Sequence, residues 1–226
     1  MPTGSLSLPA RLYLLGRDAT KSQVTDADQL SRLVRAGALT ELAQRGLLTD
    51  ADGIAMPADP DAQAGDPVLD GLLELVEESR PHEWRTWVGL RARVTLDAVQ
   101  AQLAADGYLR AERKRVFGLF PSVAYEVDGT AVVDDLREKA RYLLAGPVPV
   151  AEVPERDAAL VALAVAAGLC PLLPGGDRRR HEERVEALAE RGGASVPALK
   201  TAIQEVRSAV IVGSAAAASA SGAPGS

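Results

Sequence analysis

The sequence contains very few of the residues that build disulfide frameworks, metal centres or nucleophilic active sites. Its 226 residues include one cysteine, Cys170, and two histidines, His82 and His181. One cysteine excludes an intramolecular disulfide, and two distant histidines lack the ligand spacing of a zinc site. No histidine lies near Cys170 in the sequence to activate its thiol. We therefore expect a protein of a reducing cytoplasm with no metal and no cofactor.

Motifs for catalysis or nucleotide binding are also missing. Four aspartates between residues 59 and 70 lack the glycine and terminal glutamate of a calcium loop at the required offsets. The Pro-Gly-Gly-Asp run at 174–177 lacks the Gly-Lys-Ser/Thr of a phosphate loop. Because nothing assembles a nucleophile, a base and an oxyanion donor, we predict that the protein is not an enzyme and has no catalytic residues.

Long apolar runs are scarce as well. The longest uncharged run, residues 158–176, is rich in alanine and is interrupted by Gly168, Pro171 and Pro174. It predicts a buried core helix over about 157–169 and not a membrane span. The N-terminus has no basic segment followed by a long apolar one, so we expect no secretory signal.

Lysine is scarce although basic residues are not. Only four of the 25 basic residues are lysines, at positions 21, 114, 139 and 200. This bias towards arginine indicates a GC-rich bacterial genome. The net charge of -6 and the pI near 5.1 argue against a protein whose whole surface binds nucleic acid, because phosphate backbones require a broad basic face. Any anion site must therefore be local.

Helical periodicity dominates the chain, which is 47% hydrophobic and long enough to bury a core. Twice a helix is followed by a short hairpin, first around Asp52-Gly53, a strong turn signal, and again after Tyr108. The sequence predicts a mainly α, single globular helical domain over residues 5–212, with one or two winged-helix-like hairpin units. The Ser/Ala/Gly tail at 213–226 is expected to be disordered because it cannot bury enough apolar surface.

Aromatic residues make up only 4% of the chain, yet both phenylalanines lie in one segment, residues 110–127. Gly118 and Pro121 interrupt a β-rich run there, which predicts a hairpin. An apolar tip above a basic base is typical of a wedge that enters a membrane or a partner protein. The alternative is that the phenylalanines cap the core of the domain. The candidate wedge residues are Arg113, Lys114, Arg115, Val116, Phe117, Leu119 and Phe120.

Arg35 lies on an otherwise apolar helix. It projects near Leu39 and Leu42 and away from Leu30 and Val34, so apolar faces flank an arginine. A half-buried guanidinium requires a carboxylate or an anionic ligand, because an unpaired buried charge is costly. Pairing with an internal Asp or Glu and an anion pocket both remain open.

Several segments together resemble the Golgi phosphoprotein 3 family, in its bacterial branch. They are Leu-Ser-Leu-Pro-Ala-Arg-Leu-Tyr-Leu-Leu at 6–15, Arg-Ala-Gly-Ala-Leu-Thr-Glu-Leu-Ala-Gln-Arg-Gly at 35–46, Asp-Pro-Val-Leu-Asp at 66–70, the helix around Trp87, Gly-Tyr-Leu at 107–109 with the hairpin that follows, and Glu-Arg-Asp-Ala-Ala-Leu-Val-Ala-Leu at 155–163. The resemblance extends over about residues 5–212. It rests on the order and spacing of these segments and not on any one of them.

The resemblance implies a mostly α-helical domain that binds phosphatidylinositol 4-phosphate at membranes, with a hydrophobic hairpin that inserts into lipid or mediates self-association. Eukaryotic members also retain glycosyltransferases in the Golgi. One of the family's headgroup arginines falls on Arg35 and a second on Arg93. This chain has Asp26 at the position of the family's pocket tryptophan, and a further pocket arginine of the family falls near Leu96. Another anionic headgroup or a protein ligand is therefore an alternative partner.

Three hypotheses follow for the function. The leading one is a non-enzymatic peripheral membrane protein at the inner, cytoplasmic face of the membrane, in which Arg35 and Arg93 bind a phosphorylated headgroup and the hairpin anchors in lipid. The second is a winged-helix-like regulator that binds nucleic acid, which the net acidity disfavours. The third is a self-associating scaffold or adaptor whose hairpin docks on a neighbouring copy.

Overall fold

The computed structural model describes residues 6–19, 27–116, 120–128, 130–169 and 178–193. For residues 18, 19, 112–116, 120–124 and 178–180 it describes the backbone alone. Cys170, the hairpin tip at 117–119 and the tail at 213–226 lie outside the described residues. So do the side chains of the remaining wedge candidates, Arg113, Lys114, Arg115, Val116 and Phe120.

Eight α-helices account for most of the described residues, and the mainly α prediction is confirmed. In chain order the elements are α1 (Leu8–Ala19), α2 (Ala27–Gln44), β1 (Leu48–Ala51), β2 (Ile54–Pro57), α3 (Pro67–Glu77), β3 (His82–Glu83), α4 (Trp84–Gly89), α5 (Ala92–Ala105), β4 (Leu109–Val116), β5 (Phe120–Val127), α6 (Ala131–Ala145), a 3₁₀ turn (Val150–Glu152), α7 (Glu155–Ala166) and α8 (Arg178–Gly192).

Helix α2 lies at the centre of the core and packs against α1, α3, α4, α5 and α7. Thirteen of its residues are buried, from Leu30 and Ser31 through Leu33 to Ala43. A helix that is covered on all sides must be apolar nearly all round, which explains why α2 carries apolar residues on two faces. The same position carries Arg35 into the interior.

Helix α7 is also buried nearly all round, as the Ala/Leu/Val pattern predicts, and packs against α8 and α2. Small alanine side chains let neighbouring helices approach closely, so a short helix can contact several others. Among the described helices, none combines the length and the apolarity required to cross a bilayer.

The strands form two small antiparallel sheets. In the first, β1 and β2 join through the Asp52-Gly53 turn, where both residues have positive φ, as the sequence predicts for a tight hairpin. A third strand, β3, pairs with β2 and was not predicted. In the second sheet, β4 and β5 pair from Leu109↔Val127 to Val116↔Phe120, so the predicted hairpin is confirmed for the backbone.

Buried ion pairs attach α1 to the rest of the domain. Glu41 of α2 accepts a hydrogen bond from the backbone N–H of Leu8 at 2.6 Å and pairs with Arg156 at 2.9 Å. Arg11 of α1 pairs with Asp157 of α7 at 3.1 Å, and Lys139 of α6 contacts the other oxygen of that carboxylate at 2.8 Å. Each of these buried carboxylates therefore has at least two partners, as buried charges require.

Candidate anion-binding site

Arg35 lies in the middle of α2 and is fully buried, with none of its surface exposed. Its neighbours Val34 and Leu39 are buried to the same extent. Arginine is almost never fully buried unless it is paired, because removing a charge from water is costly. The position therefore requires a compensating partner for the guanidinium.

The described residues supply that partner only in part. Arg35 Nη2 donates one hydrogen bond, to the backbone carbonyl oxygen of Arg91 at 2.8 Å. Its Nε and Nη1 atoms are buried and have no hydrogen-bond partner among the described residues. Within the described ranges no carboxylate pairs with Arg35, unlike Arg11, which pairs with Asp157. Of the two alternatives left open by the sequence, the internal ion pair is not seen.

Burial lowers the pKa of Arg35, the positive charge of Arg91 lowers it in the same direction, and together they bring it to about 10. Because that pKa remains above neutral pH, the guanidinium is charged under ordinary conditions. Arg35 is thus a buried cation that a second cation, Arg91, disfavours further. An anion bound to Arg35 would offset both the cost of burying the guanidinium and its repulsion by Arg91.

The turn between α4 and α5 forms one wall of the site. Arg91 has a left-handed backbone conformation with φ of 51°, which is rare for a residue with a side chain. This geometry places its carbonyl oxygen on the buried guanidinium, while the residue as a whole stays exposed. The α5 helix begins at the next residue and has no side-chain cap. The N–H groups of the first turn of a helix favour an anion.

Arg93, the second arginine implied by the family resemblance, lies two residues after Arg91, beside this turn. Arg93 is exposed in the first turn of α5, and the neighbouring Val94 has 52% of its surface exposed. Leu96, where the family has a further arginine, is buried in the core. The residue in contact with the Arg35 guanidinium is Arg91. No pattern in the sequence selects it, since its left-handed turn depends on how α4 meets α5.

Helix α4 adds a second buried donor without an acceptor. Trp87 is fully buried, its ring lies edge-on to His82 with centroids 5.4 Å apart, and its Nε1 has no hydrogen-bond partner. Trp84, on the same helix, donates from Nε1 to Asp50 at 2.8 Å. Helix α4 packs on α2, the helix that carries Arg35.

The β4–β5 hairpin is attached to the helical body at its base. A side-chain N–H of Arg17, in α1, donates to the carbonyl oxygen of Tyr125 in β5, and the backbone N–H of Asp128 donates to the carbonyl of Tyr108 at 2.9 Å. Leu109 is buried in the core, and Val127 packs against it. The structure thus places the root of the hairpin, and the wedge prediction for its tip stays a prediction.

A cavity elsewhere in the domain does not suit an anion. A cavity of about 490 Å³ lies between the start of α1, the start of α3 and the end of α5. Its lining includes the carboxylates of Asp66 and Asp106 and no arginine or lysine. Asp66 already caps α3 by accepting from the N–H groups of Val68 and Leu69. Phosphate would be repelled here, so Arg35 remains the candidate.

Residues suited to a metal are dispersed. In the described ranges, no group of three or more His, Cys, Asp or Glu residues is arranged to hold a metal ion. His82 lies on β3 and His181 on α8.

A comparison with known protein families gives a match over most of the chain. The sequence pattern of Golgi phosphoprotein 3 (GPP34) matches residues 8–206, which is most of the chain and includes every described helix. No curated protein matches the chain. From the extent of that match, the chain belongs to the Golgi phosphoprotein 3 (GPP34) family.

Proposed function

We propose that the protein is a non-enzymatic peripheral membrane protein that binds anionic phosphorylated lipid headgroups, resembling phosphatidylinositol 4-phosphate, at the cytoplasmic face of the membrane. The observation that carries the proposal is Arg35, a fully buried cation whose Nε and Nη1 have no hydrogen-bond partner in the part of the chain that the structure describes. A protein gains nothing in stability from such a group, because an unpaired buried charge is destabilising. Its presence is explained by a ligand.

A phosphate group matches this site in charge and in geometry. The planar guanidinium presents its N–H groups in a fork that fits two phosphate oxygens. Arg91 adds a positive charge that acts on Arg35, the exposed Arg93 follows in the first turn of α5, and the start of α5, which has no side-chain cap, adds the partial positive charge of a helix N-terminus. A bound anion would raise the pKa of Arg35 back towards its ordinary value, and that gain would contribute to the affinity.

The hairpin would supply the apolar part of the attachment. Its tip contains Phe117, Leu119 and Phe120, and three basic residues precede it. Each CH₂ group that enters lipid contributes about 0.8 kcal/mol, and each nearby Lys or Arg contributes about 1 kcal/mol at an anionic surface. Tip and base together would hold the protein reversibly, and the headgroup site would set its specificity.

Self-association through the hairpin is the second candidate. Over the described residues, β4 and β5 pair only with each other, and each strand is eight residues long. Each therefore has an outer edge on which another strand could be added. A second copy docked there would make a dimer or a longer assembly with several headgroup sites.

Vesicle co-sedimentation with one charge-removing variant tests the leading proposal. Wild-type protein, Arg35→Gln and Arg85→Gln are compared on phosphatidylcholine vesicles with and without phosphatidylinositol 4-phosphate or phosphatidylglycerol. Arg85→Gln is the matched control, since Arg85 is an exposed arginine of α4 that pairs with Glu83 at 2.5 Å. We expect Arg35→Gln to lose at least about tenfold in affinity, the worth of one charge-assisted hydrogen bond. Arg85→Gln should bind as the wild type does.

Equal binding by folded Arg35→Gln and the wild type would contradict the proposal. A DNA mobility shift at comparable protein concentration would instead support the nucleic-acid regulator. Sedimentation as an oligomer without vesicles would support the self-association candidate, and the hairpin variants described in the Discussion test it further.

A further inference from the structure

We propose that the Leu90–Arg91 turn is a movable cover over Arg35, and that Arg91 is the residue that determines the affinity of the closed site. The proposal rests on the function proposed above, because the ligand is the same phosphorylated group. It assigns the second anion-binding side chain to Arg91, a position that neither the sequence pattern nor the family resemblance selects.

The first observation is how the guanidinium is enclosed. Arg35 has no exposed surface, so a phosphate oxygen reaches Nε or Nη1 only after part of the surrounding structure moves. Arg91 is itself exposed, yet its carbonyl oxygen contacts Nη2 at 2.8 Å. The exposed residue Arg91 therefore contacts the buried guanidinium directly, and its displacement would free Nη2.

The second observation is the left-handed backbone conformation of the turn at Arg91. Arg91 and Asp52 are the two residues other than glycine with positive φ in the described ranges. A left-handed conformation is strained for a residue with a Cβ, and movement of the turn releases the strain. Three hydrogen bonds oppose the movement: one from Arg35 Nη2 to the Arg91 carbonyl, one from the Val94 N–H to the same carbonyl at 3.0 Å, and one from the Leu90 N–H to the Thr86 carbonyl at 2.9 Å. A bound anion would replace the first.

The third observation is the charge of Arg91. Its positive charge lowers the pKa of Arg35, which means that the two guanidinium groups repel each other in the closed site. No described carboxylate relieves Arg35. An anion between the two arginines converts that repulsion into two attractions. Arg91 therefore holds Arg35 through its backbone in the free protein and contacts the ligand through its side chain in the bound one.

The test uses glycine and lysine at position 91. Arg91→Gly accepts the left-handed backbone without strain and removes the charge, whereas Arg91→Lys keeps both the strain and a charge. We expect Arg91→Gly to keep or raise the melting temperature and to lose about five- to tenfold in affinity for vesicles with phosphatidylinositol 4-phosphate. Arg91→Lys should stay within about threefold of the wild type, since a charge remains at the rim.

Asp52→Gly is the matched control, because it relieves the same kind of strain in the β1–β2 turn. It should leave vesicle binding unchanged. Hydrogen exchange of the Val94 amide gives a readout of the movement itself, and saturating soluble inositol phosphate should change it in the wild type. The soluble headgroup and inorganic phosphate, used beside the vesicles, distinguish a lipid headgroup from a free phosphate as the source of the anion.

The outcomes separate this inference from the proposed function. If Arg35→Gln loses binding but Arg91→Gly binds as tightly as the wild type, the role of Arg91 is wrong and the headgroup site stands. An unchanged Val94 amide on ligand binding contradicts the movable cover. If Arg35→Gln binds normally, the headgroup site is wrong and the turn has no site to cover.

Discussion

At the scale of single residues, the domain contrasts two kinds of buried arginine. Arg11 is buried in an ion pair with Asp157, and its carboxylate partner also contacts Lys139. Arg35 is buried more completely and has one backbone carbonyl as its partner. The first arrangement holds α1 against α7. The second arrangement leaves the charge of Arg35 without a counter-charge among the described residues, which is destabilising and which an anionic ligand would relieve.

This contrast predicts opposite effects of methionine at the two positions. Arg35→Met replaces an unpaired buried charge with an apolar side chain of similar length, so the free energy of unfolding should rise by about 1–2 kcal/mol. Arg11→Met leaves the Asp157 carboxylate with fewer partners and should lower it by about 2–3 kcal/mol. Urea denaturation of both variants measures these changes. A fall of more than about 1 kcal/mol for Arg35→Met would show that the guanidinium has a structural role.

The pKa of Arg35 adds a prediction about pH. In the folded protein, burial and the charge of Arg91 lower the pKa of Arg35 to about 10, so the unfolded chain binds the proton more tightly. The destabilisation by the charged guanidinium is therefore complete below about pH 10 and is relieved as the pH rises above that value. The stability difference between the wild type and Arg35→Met should be constant from pH 6 to 9 and become smaller above about 10. A difference that grows with pH would contradict the sign of this linkage.

The sequence identified Arg35 because an arginine between two apolar faces of one helix is unusual. It could not show whether a carboxylate would meet the guanidinium, because that depends on residues brought from distant parts of the chain. Arg91, 56 positions away, was missed for the same reason. Its left-handed conformation arises where α4 and α5 meet and leaves no signal in the local sequence.

At the scale of the elements, strong local patterns gave the correct structures. The Ala/Leu/Val pattern predicted α7, and Asp52-Gly53 predicted the β1–β2 turn. The two-residue strand β3 was missed, because a strand that short has no periodicity of its own. It forms only when the chain after α3 returns to pair with β2 at Ile54 and Ala55.

Close approach of α7 and α8 makes a glycine necessary at the end of α8. A Cβ built on Gly192 would lie 2.6 Å from the backbone nitrogen of Ala159, which cannot move without shifting α7. Gly71, in the middle of α3, has nothing within 4 Å of such an atom. We expect Gly192→Ala to destabilise the fold by about 2 kcal/mol or more and Gly71→Ala to stabilise it by roughly 0.5–1 kcal/mol. Thermal unfolding distinguishes them. Equal changes for both would contradict the close packing of α7 on α8.

At the scale of the whole molecule, the net negative charge means that binding to an anionic membrane would depend on local contacts. With a net charge of -6, the protein is repelled as a whole by an anionic membrane. Binding therefore requires a few cations on one side, together with apolar groups that enter the lipid. The proposed headgroup site and the hairpin would provide these two parts.

The hairpin prediction follows from this division. Replacing Phe117 and Phe120 together with serine should abolish vesicle binding, or dissolve an oligomer, because both changes remove apolar groups from the predicted wedge. The melting temperature should stay nearly unchanged, since side chains that project from a domain contribute little to its core. A large fall in melting temperature would instead place both rings in the core.

The most direct test of the account compares the melting temperatures of the wild type and Arg35→Met with a soluble phosphorylated inositol headgroup. At ten times its dissociation constant, a ligand that binds only the folded state should raise the wild-type melting temperature by roughly 3–6 °C. Arg35→Met should melt at a higher temperature than the wild type without ligand and show no further rise with it. An equal rise in both proteins, or no rise in the wild type, would contradict the claim that Arg35 is the headgroup-binding residue.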